Sequence, residues 1–96
     1  MNVDELIKDK REEILRIAEK HGAQNVRIFG SVVRGEAGEE SDIDFLVSVG
    51  ENRSPFFPGG LMADLEKLLG RHVDVVTEAG LHWYIREKVL QEAVSL

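Results

Sequence analysis

The sequence reads as an α/β (α+β) domain, a sheet of three or more strands with helices packed against it. Two amphipathic stretches at either end repeat their apolar residues at helical spacing, and between them short runs rich in β-formers alternate with glycine-bounded segments. At 96 residues the chain has room for a single domain, residues 1–96, with no stretch left over for a second.

From Val3 to about His21, Val3, Leu6, Ile7, Ile14, Ile17 and Ala18 fall on one helical face, with Lys, Arg and Glu on the other, and Gly22 ends the helix. Asn25 to Phe29 forms a short strand that runs into Gly30-Ser31, where the pattern turns briefly helical before Gly35. Residues 36–41 are polar and contain glycine, which predicts a loop. Asp42 to Val49 is the strongest strand in the sequence. Residues 50–60, with Pro55, Pro58 and paired glycines, predict a surface loop that carries mobility. A helix over Leu61 to Leu69 stops at Gly70, a third strand covers His72 to Thr77, and an amphipathic helix runs from about Leu81 to Glu92. The last four residues extend that helix or form a short edge strand.

Composition narrows the classes of function. With 43% hydrophobic and 31% charged residues, the chain is too apolar for disorder. A net charge of −6 argues against non-specific nucleic-acid binding, which needs clustered cations, so no direct nucleic-acid contact is expected. There is no cysteine, hence no disulfide framework and no thiolate metal site. No apolar run suits a membrane span, and the charged start is unlike a signal peptide, which makes the cytoplasm the expected location.

The chemistry is concentrated in Gly30-Ser31, Asp42-Ile43-Asp44 and Asp74. Residues i and i+2 of a strand share a face, so Asp42 and Asp44 project together while Ile43 and Phe45 turn to the core. Paired carboxylates repel, and a hard cation such as Mg²⁺ or Mn²⁺ relieves the repulsion. In the third strand, alternation sets Val73 and Val75 on one face and Asp74 on the other. If that strand lies beside the second, three carboxylates meet, enough to hold two ions for phosphoryl transfer. Gly30 would let backbone approach a phosphate, with the N–H groups and hydroxyl at Ser31 adding donors. Arg34, one turn on, is placed either to meet a triphosphate oxygen or to pair with one of the nearby glutamates. His21, His72 and His82 match no zinc spacing and read as surface or capping residues, with His72 the one that could lie near the metal. Trp83 and Tyr84, with Phe56 and Phe57, read as core or loop anchors, or alternatively as a docking patch for a partner.

The motif Gly30-Ser31-x10-Asp42-x-Asp44, set in Phe29-Gly-Ser-Val-Val-Arg-Gly-Glu and Ser41-Asp-Ile-Asp-Phe-Leu-Val, resembles the signature of the polymerase-β-like nucleotidyltransferase superfamily. The short chain and the segment Leu68-Leu-Gly-Arg-His-Val-Asp-Val-Val-Thr resemble its minimal members, the MNT-type antitoxins paired with HEPN-domain toxins. The resemblance covers the chain from Val26 to its end, and no motif position is broken. It implies a palm-like mixed sheet, Mg²⁺ (or Mn²⁺), ATP as donor, and transfer of AMP to a tyrosine of a HEPN-domain ribonuclease, which is thereby silenced. Carried over residue by residue, Gly30 and Ser31 match the nucleotide-holding motif, Asp42 and Asp44 the metal ligands, and Asp74 the third acidic position, assigned in that family to the catalytic metal and the acceptor hydroxyl. A hetero-oligomer with the toxin is implied, and a homodimer of the chain alone stays open.

Two other readings share these residues. A catalytically silent module could keep the fold and neutralise its partner by complex formation. Small-molecule nucleotidyltransferases carry the same signature but hold their acceptor on further domains, for which this chain has no residues, and that reading ranks last.

Overall fold

The computed structural model describes residues 3–36, 38, 41–51, 55 and 57–96. Among these described residues nine elements follow in order: α1 (Val3–Asp9), α2 (Arg11–Lys20), β1 (Ala23–Phe29), α3 (Ser31–Arg34), β2 (Ile43–Val49), α4 (Gly59–Leu69), β3 (Val73–Thr77), α5 (Trp83–Glu92) and β4 (Val94–Ser95). The strands make one mixed sheet in the order β3-β2-β1-β4. β1 runs antiparallel to both β2 and β4, whereas β2 and β3 are parallel and joined through α4. Helices and sheet together give a mixed α+β fold.

The expected first helix is two. The chain turns at Lys10, although the bonds Lys10 N–H to Leu6 C=O (3.0 Å) and Ile14 N–H to Lys10 C=O (2.9 Å) carry the ladder across. The cause is in the pattern: residues 8–13 hold no apolar side chain, so no packing keeps the joint straight. Bending there brings both apolar stripes, Val3 with Ile7 and Ile14 with Ala18, to the same core. The C-terminal residues resolve into the short edge strand, with Val94 opposite Ile28 and Ser95 opposite Arg27. The mobility expected of 50–60 falls partly on residues 52–54 and 56, which lie outside the described residues, as does the role given to Phe56.

One sheet face carries the main core. Ile43, Phe45 and Val47 of β2 and Val73 and Val75 of β3 are buried against Ile14 and Ala18 of α2 and Leu61, Leu65 and Leu69 of α4. Full burial of such aliphatic side chains is worth about 1.5–3 kcal/mol each. The other face is shared. Leu46 is fully buried there yet stands outside the main cluster, as does Val89 of α5. Arg27, Ser48 and Glu78 lie on this same side and are tied together, Arg27 Nη2 donating to Glu78 Oε2 at 2.9 Å and the Ser48 hydroxyl donating to it at 2.8 Å. α5 starts beside this network, where Arg86 Nη1 donates to the Glu78 carbonyl, and ends at Gly30. It therefore crosses the second face and ends beside Asp44, while Asp74 at the start of β3 stays exposed.

Candidate active site

Register brings the three aspartates to one end of the sheet. Asp44 pairs directly with Asp74 across the parallel β2–β3 ladder, so the two carboxylates stand side by side on the face away from the main core. The alternation read from the sequence holds here: Ile43, Phe45, Val73 and Val75 are buried, and Asp74 is exposed. Asp42 precedes β2 and is also exposed. Its position is fixed from both sides, since Arg71 Nη2 donates to the Ser41 carbonyl at 2.8 Å and Ile43 N–H to the His72 carbonyl at 3.0 Å. His72 comes close to the cluster, with Nδ1 3.7 Å from Asp42 Oδ1 and 3.4 Å from Glu66 Oε2, but its side chain is 72% exposed. Glu66 of α4 also accepts from Val73 N–H at 3.0 Å, which fixes the start of β3.

Gly30 closes the site from β1. Phe29 is opposite Asp44, so the turn into α3 passes directly by that carboxylate. A Cβ on Gly30 would lie 2.3 Å from Asp44 Oδ2, and the residue's φ of +81° is in the region that L side chains rarely adopt. Both facts require glycine. Arg34, at the other end of α3, pairs with two glutamates: Nη1 donates to Glu92 Oε1 at 2.7 Å and Nε to Glu36 Oε2 at 3.2 Å.

The electrostatics of the cluster centre on Asp44. Burial raises its pKa above the usual aspartate value, the charges of Asp74 and Asp42 raise it further, and Arg34 opposes them. Among the described residues no three His, Asp or Glu side chains close into a ready-made metal cage. The donor set still fits a divalent cation of the Mg²⁺ type, because such ions take one or two carboxylates together with substrate phosphates and water rather than a dedicated protein cage. A cation there would offset the repulsion that burdens Asp44.

Glu92 is the residue that sequence reasoning missed. It accepts from Gly30 N–H at 3.0 Å and from Arg34, and these contacts hold its carboxyl below the usual range, the Arg34 hydrogen bond first. On a helical wheel it is one more polar residue near the end of an amphipathic helix, and nothing local signals its reach to β1. Two aromatic expectations need correction. Trp83 and Tyr84 are not core anchors: they are 79% and 76% exposed at the start of α5, because the buried residue of that helix is Val89. Phe57 does pack on the core. His82 caps α5, accepting from Tyr84 N–H at 3.1 Å, and His21 is the C-cap residue of α2, as the capping reading allows, though it is buried with Nε2 2.7 Å from Asp64 of α4.

This end of the sheet sets two carboxylates in register beside a backbone turn that tolerates no side chain, an arrangement that could hold a divalent cation next to a phosphate. The chain belongs to the nucleotidyltransferase domain family, whose sequence pattern matches residues 9–96. It is 40% identical over 96 residues to a Methanocaldococcus jannaschii protein provisionally named a protein adenylyltransferase, covering 100% of this chain and 99% of that one. It is 42% identical over 78 residues to the protein adenylyltransferase MntA of Thermococcus cleftensis, 81% and 79% of the two chains. A solved structure provisionally described as a minimal nucleotidyltransferase superposes with a TM-score of 0.85 at 48% identity, covering 96% of this chain and 94% of the other. A toxin–antitoxin crystal structure with AMP-PNP shares the fold, with a TM-score of 0.74 at 21% identity over 88% of this chain and 69% of the other.

Proposed function

We propose that this nucleotidyltransferase is a Mg²⁺-dependent protein adenylyltransferase of the antitoxin type, which moves AMP from ATP to a tyrosine of a HEPN-domain ribonuclease in the cytoplasm and so silences it. The observation that carries the reading is the pairing of Asp44 with Asp74 on adjacent parallel strands beside Gly30. The adenylyltransferase names of the relatives support the reaction class, and the toxin–antitoxin structure with AMP-PNP supports both an adenine-nucleotide donor and a toxin partner.

In this reading Asp42, Asp44 and Asp74 would hold the divalent ion, which when bound would offset charge on the triphosphate and on the carboxylates. Gly30 admits a phosphate to the β1 turn, where a side chain would block it. Its N–H, the Ser31 hydroxyl and Arg34 are the donors that orient the phosphates. The acceptor hydroxyl oxygen bonds to the α-phosphorus, the bond from that phosphorus to the bridging oxygen breaks, and pyrophosphate leaves with the electron pair. Asp74, on the open edge strand, takes the hydroxyl proton and releases it to water. The acceptor reaches the site as part of the partner, in a hetero-oligomer.

The test is intact-mass spectrometry of the co-expressed partner. A gain in multiples of one AMP unit with wild type, lost with Asp42→Asn or Asp44→Asn, is expected. A complex that forms and protects cells with no mass gain would instead favour neutralisation by binding alone.

A further inference from the structure

The carboxylate of Glu92 sits where the proposed reading puts a phosphate. Its two oxygens are each engaged by one donor, Oε2 by Gly30 N–H at 3.0 Å and Oε1 by Arg34 Nη1 at 2.7 Å, and the side chain is only 16% exposed. Those are the donors an incoming phosphate needs. Other forces disfavour an anion at this place. Glu92 is the last residue of α5, at the negative end of the helix, and no basic residue stands in the last turn. It also lies near enough to Asp44 to add to the repulsion there. Lys88, one turn earlier, favours the charge, and the Gly30–Arg34 cradle supplies the hydrogen bonds that retain it, Arg34 first.

The segment is pinned beyond Glu92 at its last residue, where Leu96 packs against the core, its N–H donates to the Val26 carbonyl at 3.2 Å and Arg11 Nη2 donates to its carbonyl at 3.0 Å; between the two pins the anchoring is light. Val89 is the buried residue of α5, and β4, which follows directly, meets β1 through Arg27–Ser95 and Ile28–Val94. Segments with few buried contacts and short ladders open at low free energy.

We propose that Glu92 is an internal stand-in for a nucleotide phosphate: it occupies the Gly30–Arg34 cradle, and a triphosphate enters by displacing it, which loosens the end of α5. The proposal rests on the nucleotide reading of this site. It makes donor binding an exchange of one anion for another, and it couples that exchange to a helix whose far end displays Trp83 and Tyr84.

Trp83 is the chain's single tryptophan and stacks on His82 with centroids 5.7 Å apart, so its fluorescence reports movement of α5. Titration of AMP-PNP with Mg²⁺ into wild type, Glu92→Gln and Glu92→Asp, followed by calorimetry and by Trp83 emission, tests the exchange. Losing the charge or shortening the side chain should tighten AMP-PNP binding by roughly 3- to 10-fold, a tenfold change corresponding to about 1.4 kcal/mol. The emission change that nucleotide produces in wild type should be partly present in Glu92→Gln before nucleotide is added. Equal or weaker binding by both folded variants overturns the exchange while leaving the site reading intact, provided wild type binds and Arg34→Ala does not. A wild-type protein that takes up no AMP-PNP overturns both together.

Discussion

A methyl group at Gly30 would meet Asp44 Oδ2 and also force a left-handed backbone on a side chain that resists it. Gly30→Ala should therefore lower stability by about 1–3 kcal/mol, read by chemical denaturation, and abolish transfer because Asp44 has to move. Asp44 itself should behave in the opposite sense. Its folded-state pKa is raised, so the folded protein binds its proton more tightly than the unfolded chain does. That contribution is complete below the unfolded value of about 3.9 and is lost as pH rises through the raised folded value. At neutral pH and without divalent ions, Asp44→Asn should melt a few degrees above wild type, and Mg²⁺ should raise wild type but not the variant; thermal melts at several pH values check both. Transfer by Asp44→Asn should fall on the order of 10²-fold or more in a single-turnover assay. At this scale the sequence was readable wherever a residue broke its local pattern. Aspartate between valines in a strand stands out, and so does glycine before a four-residue helix. Glu92 and His21 broke no pattern, since a helix-end glutamate and a post-helix histidine are ordinary, and their partners lie 62 and 43 residues away in sequence.

Among the elements, those whose periodicity runs without interruption were legible to within two residues: β2, β3, α4 and α5 all lie where spacing and glycines put them. The kink at Lys10 was not, because a polar stretch that keeps its helical hydrogen bonds looks continuous until packing is known. The β1 irregularity between Gln24 and Arg27 was equally hidden; Asn25 takes φ +51° there, and the strand bends. α4 and α5 should differ sharply when perturbed. Leu65 is buried in the main core, so Leu65→Ala should cost about 2–5 kcal/mol in denaturant unfolding. α5 presents Trp83, Tyr84 and Ile85 to solvent and should lose its amide protection well before β2 does in hydrogen exchange.

For the molecule as a whole, the net charge of −6 opposes the phosphate backbone of DNA or RNA, and the protein alone should leave duplex DNA unshifted in a gel at physiological salt. Family and fold class were legible because the motif and the alternation of elements are both local features of the chain. The order β3-β2-β1-β4 was not, since β3 passes through α4 before it meets β2, and no local pattern states where a crossover lands. That crossover has a kinetic meaning. Asp42 and Asp44 arrive with the β1–β2 hairpin, but Asp74 joins them only when the parallel pair zips, and non-local parallel pairing is intrinsically slow. A chain emerging from the ribosome thus gathers Asp42 and Asp44 before Asp74 joins them, and a complete trio becomes a certificate that the chain's own folding is finished.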